Sequence, residues 1–153
     1  MCGISGFFLS NNFSTHRESL KTLRNMTNVL RHRGPDASGY WSSERDNIYL
    51  GHRRLSIIDL SKLANQPMNS RNDRYIIIFN GEIYNFKKLK SELQSLYNVK
   101  FKTHSDTEVI LELVAQFGFR KALDKIIGMF SLVIWDKKEK NLFLAIDPLG
   151  KKP

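Results

Sequence analysis

The sequence predicts an α+β domain built on antiparallel sheets. Three observations carry this: apolar and β-branched runs bunch towards the two ends of the chain, helical periodicity fills the middle, and the last two apolar runs flank a short polar turn as hairpin strands do. A strictly alternating parallel design would interleave strands and helices more evenly.

Gly3 to Leu9 is a short apolar strand, and Ser10-Asn11-Asn12 after it is turn chemistry. Thr15-x-x-Glu18 is a capping box, and Leu20, Leu23, Met26 and Leu30 follow at helical spacing until Gly34-Pro35-Asp36 ends the helix. Asn47 to Ile58 reads as extended and carries Arg53-Arg54; Arg74 to Phe79 is a β-branched strand running into Asn80-Gly81. That dipeptide usually closes a hairpin. Here Asn85 and then Phe86, Leu89, Leu93 and Leu96 form a cap and a helix face, which puts Asn80-Gly81 on a strand-to-helix turn. Val99 to Thr103 reads as another strand. Ser105-x-x-Glu108 caps a helix that turns Ile110, Leu113, Val114 and Phe117 inward and stops at Gly118. A short helix over Arg120 to Ile127 precedes the hairpin of Met129–Trp135 and Leu142–Ile146, joined by polar residues 136–141. The chain then stops at Gly150-Lys151-Lys152-Pro153 without a polar tail, which predicts a longer native protein.

At 153 residues, with 41% hydrophobic, 11% aromatic and 25% charged residues, the composition is that of one folded domain rather than a disordered chain. The longest apolar stretches, within Arg74–Phe79 and Met129–Trp135, are about a third of the roughly 20 residues a membrane helix needs. No basic n-region precedes the brief apolar start, so a secretory signal is not expected, and the single cysteine fits a cytoplasmic protein. The Asn-x-Ser/Thr triplets at Asn12 and Asn25 matter only in a secretory compartment. The balance of 24 Lys and Arg against 15 Asp and Glu gives +9. These cations fall in scattered pairs (Arg31 and Arg33, Lys87 and Lys88, Lys137 and Lys138) without interleaved aromatics, a solvated face rather than a nucleic-acid tract.

Cys2 is the first candidate for chemistry. Loss of Met1 would leave a residue with both a thiol and a free α-amine, whose ordinary pKa values of about 8.5 and about 7.7–8.0 let the amine act as general base. Gly3 and Gly6 beside it predict close backbone approach by a ligand. Of the adjacent Arg53 and Arg54 only one can face a pocket, where a guanidinium fork suits a carboxylate; Asp106 at a helix start could hold an ammonium, or simply cap the helix. Asn80-Gly81 offers a side-chain amide and a backbone N–H, the donor types of an oxyanion hole, or an ordinary turn. His16, His32, His52 and His104 have no metal-ligand spacing, and no glycine-rich nucleotide loop is present, so no cofactor or metal is expected on this stretch.

Taken together these residues resemble one family, the class II glutamine amidotransferase domain of asparagine synthetases, an N-terminal-nucleophile hydrolase. The resemblance runs through Met1-Cys2-Gly3-Ile4-Ser5-Gly6, Arg31-His32-Arg33-Gly34-Pro35-Asp36, Gly51-His52-Arg53-Arg54-Leu55-Ser56-Ile57-Ile58-Asp59, Asn65-Gln66-Pro67-Met68, Phe79-Asn80-Gly81-Glu82-Ile83-Tyr84-Asn85, Ser105-Asp106-Thr107-Glu108 and Gly128-Met129-Phe130. It implies a four-layer αββα sandwich of two antiparallel sheets over residues 1–153, incomplete at its C-terminus, that hydrolyses L-glutamine to glutamate and ammonia. By position it makes Cys2 the nucleophile and Asn80 with Gly81 the oxyanion hole. Arg54 would bind the substrate carboxylate, Glu82 with Asp106 would lie near its amino group, and the backbone of Leu55, Ile57 and Ile58 would line the pocket. It also implies a further C-terminal synthetase domain that uses ATP and Mg, aspartate as acceptor, and allows a homodimer; it implies no nucleic acid or membrane partner. Ile146 departs from the family, which usually has Arg before Asp147. Relatives amidating sugars or other carboxylates, a non-catalytic regulatory copy, and a basic nucleic-acid-binding domain are the competing readings.

Overall fold

A computed structural model describes residues 1–10 and 14–152. The turn expected at residues 10–12 and the triplet at Asn12 fall largely outside them.

β1 (Gly3–Phe8), β2 (Ala37–Ser43) and β3 (Ile48–Arg54) form one antiparallel sheet in the order β1-β3-β2. β4 (Met68–Asn69), β5 (Tyr75–Ile83), β6 (Gly128–Asp136) and β7 (Asn141–Ile146) form a second antiparallel sheet in that order. Helix α1 (His16–Val29) covers the outer face of the first sheet, with Leu23 fully buried; α2 (Phe86–Tyr97), α3 (Asp106–Phe117) and α4 (Phe119–Leu123) cover the outer face of the second. The result is the expected αββα stack.

Period-two alternation along β5 divides the core. Ile77, Phe79 and Ile83 point to the helices and join Leu89, Leu93, Ile110 and Leu113; Ile76 and Ile78 point to the first sheet and join Ile48, Leu50 and Trp135. His52 is the polar rivet of this intersheet layer: its Nε2–H donates to the Phe79 carbonyl at 3.2 Å, while the buried Nδ1 has no partner among the described residues. Burial lowers its pKa to about 4, so the ring is neutral.

Two of the three capping signals hold. Thr15 and Glu18 make the reciprocal box, and Ser105 accepts from the Glu108 N–H at 3.3 Å. Glu108 does not reach back to Ser105; its carboxylate instead accepts the N–H groups of Lys102 and Thr103 at 2.9 and 2.7 Å. Those bonds correct one expectation, since residues 99–103 are tethered to the helix start and form no strand. Asn80-Gly81 is a second correction: the ladder with β6 carries β5 through both residues to Ile83, and the turn comes at Tyr84-Asn85. Asn85 uses its amide to bind Lys125 and Ile127 rather than the helix N-terminus. Extended structure ends at Arg54, so residues 55–58 are loop, and β2 and the two-residue β4 are additional strands. Among the described residues no helix is long and apolar enough to cross a membrane.

Candidate active site

The nine residues that the resemblance assigned to the site line one cavity of about 180 Å³ between the C-terminal ends of β3 and β5, the start of α3 and the chain's first residues. Cys2, Arg54, Leu55, Ile57, Ile58, Asn80, Gly81, Glu82 and Asp106 come from four separate segments, brought together because the two sheets stack with β3 over β5.

Cys2 sits just before β1 and is held against residue 55: the Leu55 N–H donates to Sγ at 3.4 Å, and the thiol reaches the Leu55 carbonyl at 3.7 Å. Burial pushes the thiol pKa up, opposed by the Leu55 N–H, the chain's N-terminal charge and Arg54. The resting group is therefore a thiol that needs a base. No histidine lines the cavity among the described residues. Gly3 and Gly6 do not line it either; a Cβ at Gly3 would strike the Leu30 side chain at 2.8 Å and one at Gly6 the Tyr49 carbonyl at 2.7 Å, so their role is packing, not ligand approach.

The β5 edge brings the two candidate oxyanion donors, the Gly81 N–H and the Asn80 amide, to the cavity. In an antiparallel strand, N–H groups alternate between its two edges. The Phe79 N–H donates to Gln66 Oε1 at 2.6 Å and the Ile83 N–H to Asp106 Oδ2 at 3.1 Å, both away from β6, whereas the Tyr84 N–H turns towards the β6 side and meets the Ile127 carbonyl. Gly81 has the parity of Phe79 and Ile83. Its partner in register, Phe130, spends its own N–H and carbonyl on Asp147, so Gly81 and Phe130 are a non-hydrogen-bonded pair. The Gly81 N–H thus projects from the open edge into the cavity between two neighbours that side chains have already satisfied. A Cβ at Gly81 would fall on the Met129 carbonyl, which explains the glycine. Asn80 has the parity of Ile76 and Ile78, faces the first sheet, is buried, and its amide has no hydrogen bond to a described residue.

Of the arginine pair, Arg53 turns away and donates to the Gly34 carbonyl at 2.9 Å, leaving Arg54 in the cavity. Arg54 is positioned by Nη1 bonds to Ser61 O and Asn65 Oδ1, both 2.7 Å, and by an Nη2 bond to the Asp59 carbonyl; Nε makes none to a described residue. Burial would raise the Asp59 carboxyl, but bonds from the His104 and Ser61 N–H groups outweigh it and bring its pKa to about 2. Asp59 so fastens the loop after β3 to the approach of α3. Asp106, at the first turn of α3, is raised to about 6 by burial, against the N–H bonds it accepts from Ile83, Thr107 and its own backbone. Thiol, paired oxyanion donors, a guanidinium and a buried carboxylate are what acyl transfer from an α-amino acid side chain requires.

Gln66, Asp59, Thr107, Met129 and Lys152 also line the cavity and were not chosen from the sequence. Gln66 matters most, since it bonds both the Phe79 N–H and Thr107 Oγ1. Its only sequence signal was its place in the Asn65-Gln66-Pro67-Met68 block.

Comparison with known proteins gives a consistent picture. Residues 1–153 match the family described as "Glutamine amidotransferase domain". The chain is similar to asparagine synthetase [glutamine-hydrolyzing] 1 of Bacillus subtilis, 39% identical over 153 residues, covering 100% of this chain and 23% of that protein. It is 34% identical over 159 residues to amidase chry2 of Gibberella zeae, covering 99% of this chain and 23% of the other. Among solved structures it resembles the glutamine phosphoribosylpyrophosphate amidotransferase of B. subtilis with a TM-score of 0.59 and 25% identity, over 70% of this chain and 24% of that one. The chain therefore spans about a quarter of the length of these relatives.

Proposed function

Because the chain belongs to the glutamine amidotransferase domain family, we propose that it hydrolyses glutamine at Cys2 and that the ammonia serves an amidation carried out elsewhere. The observation that carries this reading is the meeting, in one cavity, of the Cys2 thiol with the free Gly81 N–H and Asn80 amide, flanked by Arg54 and Asp106.

With Met1 removed, the Cys2 α-amine takes the thiol proton and Sγ attacks the side-chain amide carbon of glutamine. The carbonyl oxygen becomes an oxyanion held by Gly81 and Asn80. The amine returns its proton to the leaving nitrogen, ammonia departs, and water releases glutamate from the thioester by the same steps. Arg54 orients the substrate carboxylate; Asp106 as carboxylate, with Glu82 nearby, holds the α-ammonium.

The acceptor is a separate question. Asparagine synthesis from aspartate on a synthetase domain using ATP and Mg follows the names of the relatives at 39% and 40% identity; the similarity to an amidase favours keeping a second acceptor class in view. A homodimer belongs to the same proposal. Intact-mass analysis of the protein as the cell makes it should show loss of Met1, and Cys2→Ala should abolish glutaminase activity. Full activity with Met1 retained would sink the mechanism.

A further inference from the structure

The segment after β7 carries a buried cation into the cavity. The Asp147 carboxylate accepts the N–H groups of Phe130 at 3.1 Å, Leu149 at 3.0 Å and Lys151 at 3.0 Å, and Ser131 Oγ–H donates to the Lys152 carbonyl at 2.5 Å. Residues 147–152 are thereby pinned to β6 beside Gly81. Lys152 is only 8% exposed, and its Nζ lies 2.8 Å from Met1 Sδ. A thioether is a weak acceptor, and Lys152 has no ion pair among the described residues. A buried ammonium facing sulfur alone is costly, so its place must be justified by what else the cavity holds.

The other charged groups facing Cys2 are Arg33, whose Nε–H donates to the Cys2 carbonyl at 3.2 Å, then Arg54 and Asp59 from the β3 side, Glu82 on β5 and Asp106 on α3. On the proposed binding mode, the substrate carboxylate neutralises Arg54 and its ammonium neutralises Asp106. Lys152 and Arg33 then remain as the cations beside the N-terminus, with Asp59 and Glu82 as the carboxylates the substrate does not take up.

We propose that Lys152 sets the reactive protonation state of the N-terminal Cys2: once Met1 is gone, its ammonium disfavours the charged form of the freed amine and favours the thiolate. No proton passes through Lys152; it is a positioning charge, and its role rests on Cys2 being the N-terminal nucleophile. At an effective dielectric of about 20, a unit charge even about 10 Å from a titrating group moves its titration by on the order of one pH unit.

The test uses protein whose mass shows Met1 removed. The rate of Cys2 alkylation by iodoacetamide and kcat/KM for glutamine are followed against pH in the unaltered protein, Lys152→Met and Lys152→Arg. Lys152→Met should move the acidic limb of both profiles up by about one pH unit, and Lys152→Arg should leave it in place. A folded Lys152→Met with an unmoved limb overturns the proposal. Should that variant not fold, Lys152→Gln takes its place, and a Lys152→Arg limb displaced by a full unit overturns it independently. An alkylation limb that shifts in a protein without glutaminase activity would sustain Lys152 while removing the proposed function.

Discussion

The two borders of the second sheet differ in how their backbone is finished. On the β5 side, β4 covers only Ile76 and Ile77, and beyond it side chains complete the edge: Gln66 takes the Phe79 N–H, Asp106 takes the Ile83 N–H, and the Gly81 N–H between them has no bond to a described residue. On the β7 side no described strand follows, no such dressing occurs, and Leu144 and Ile146 are 67% and 65% exposed. The same ladder chemistry therefore yields a site where polar side chains fill all but one position, and a sticky margin where none do.

Four experiments would break or sharpen this contrast. The largest effect is expected at the β5 border, where Asn80→Ala should cut kcat about 10²–10³-fold with little change in KM, because the amide acts on a charge that forms only in the transition state. A change confined to KM would refute the oxyanion role. Next, Arg54→Ala removes a contact made alike to substrate and transition state, so KM should rise about 10–100-fold while kcat holds. The same KM should depend on pH through Asp106. Its carboxyl titrates at about 6 in the free protein and must be ionised to hold an ammonium, so KM should climb about tenfold per pH unit below that value. Asp106→Asn, measured by steady-state kinetics, should raise KM and flatten this dependence. The smallest effect is at the β7 border: Leu144→Lys should reduce self-association in light scattering and shift the melting temperature by no more than a few degrees, as exposed substitutions do. Unchanged association would show that this margin is not the adhesive one.

The sequence disclosed the site more fully than the sheet that builds it. Cys2, Arg54, Asn80, Gly81 and Asp106 announce themselves by residue type and motif, and helix starts by Thr15 and Ser105. The course of β5 through Asn80-Gly81 was hidden because the dipeptide's turn preference is local, whereas its pairing with Ser131 and Phe130 is not. β2 was missed because Ala37, Ser38 and Gly39 carry no apolar alternation; its partner β3 supplies the order. The reverse happened at Val99–Thr103, where strand-like residues find no open ladder and Glu108 claims their N–H groups.

The His52 rivet between the sheets has a consequence in acid. The folded ring resists protonation until about pH 4, while in an unfolded chain it accepts a proton near its ordinary value of 6.5. Between those values the unfolded chain binds more protons, so stability falls as pH drops, by about 3 kcal/mol once pH 4 is passed. A protonated ring would also bring a second N–H to Nδ1, where no acceptor waits among the described residues. Mild acid should therefore loosen the seam between the two layers before it melts the helices, and amide hydrogen exchange should quicken first at the inward-facing residues of β3 and β5. His52→Phe, which cannot take up that proton, should remove the part of the acid sensitivity that lies between pH 6.5 and pH 4.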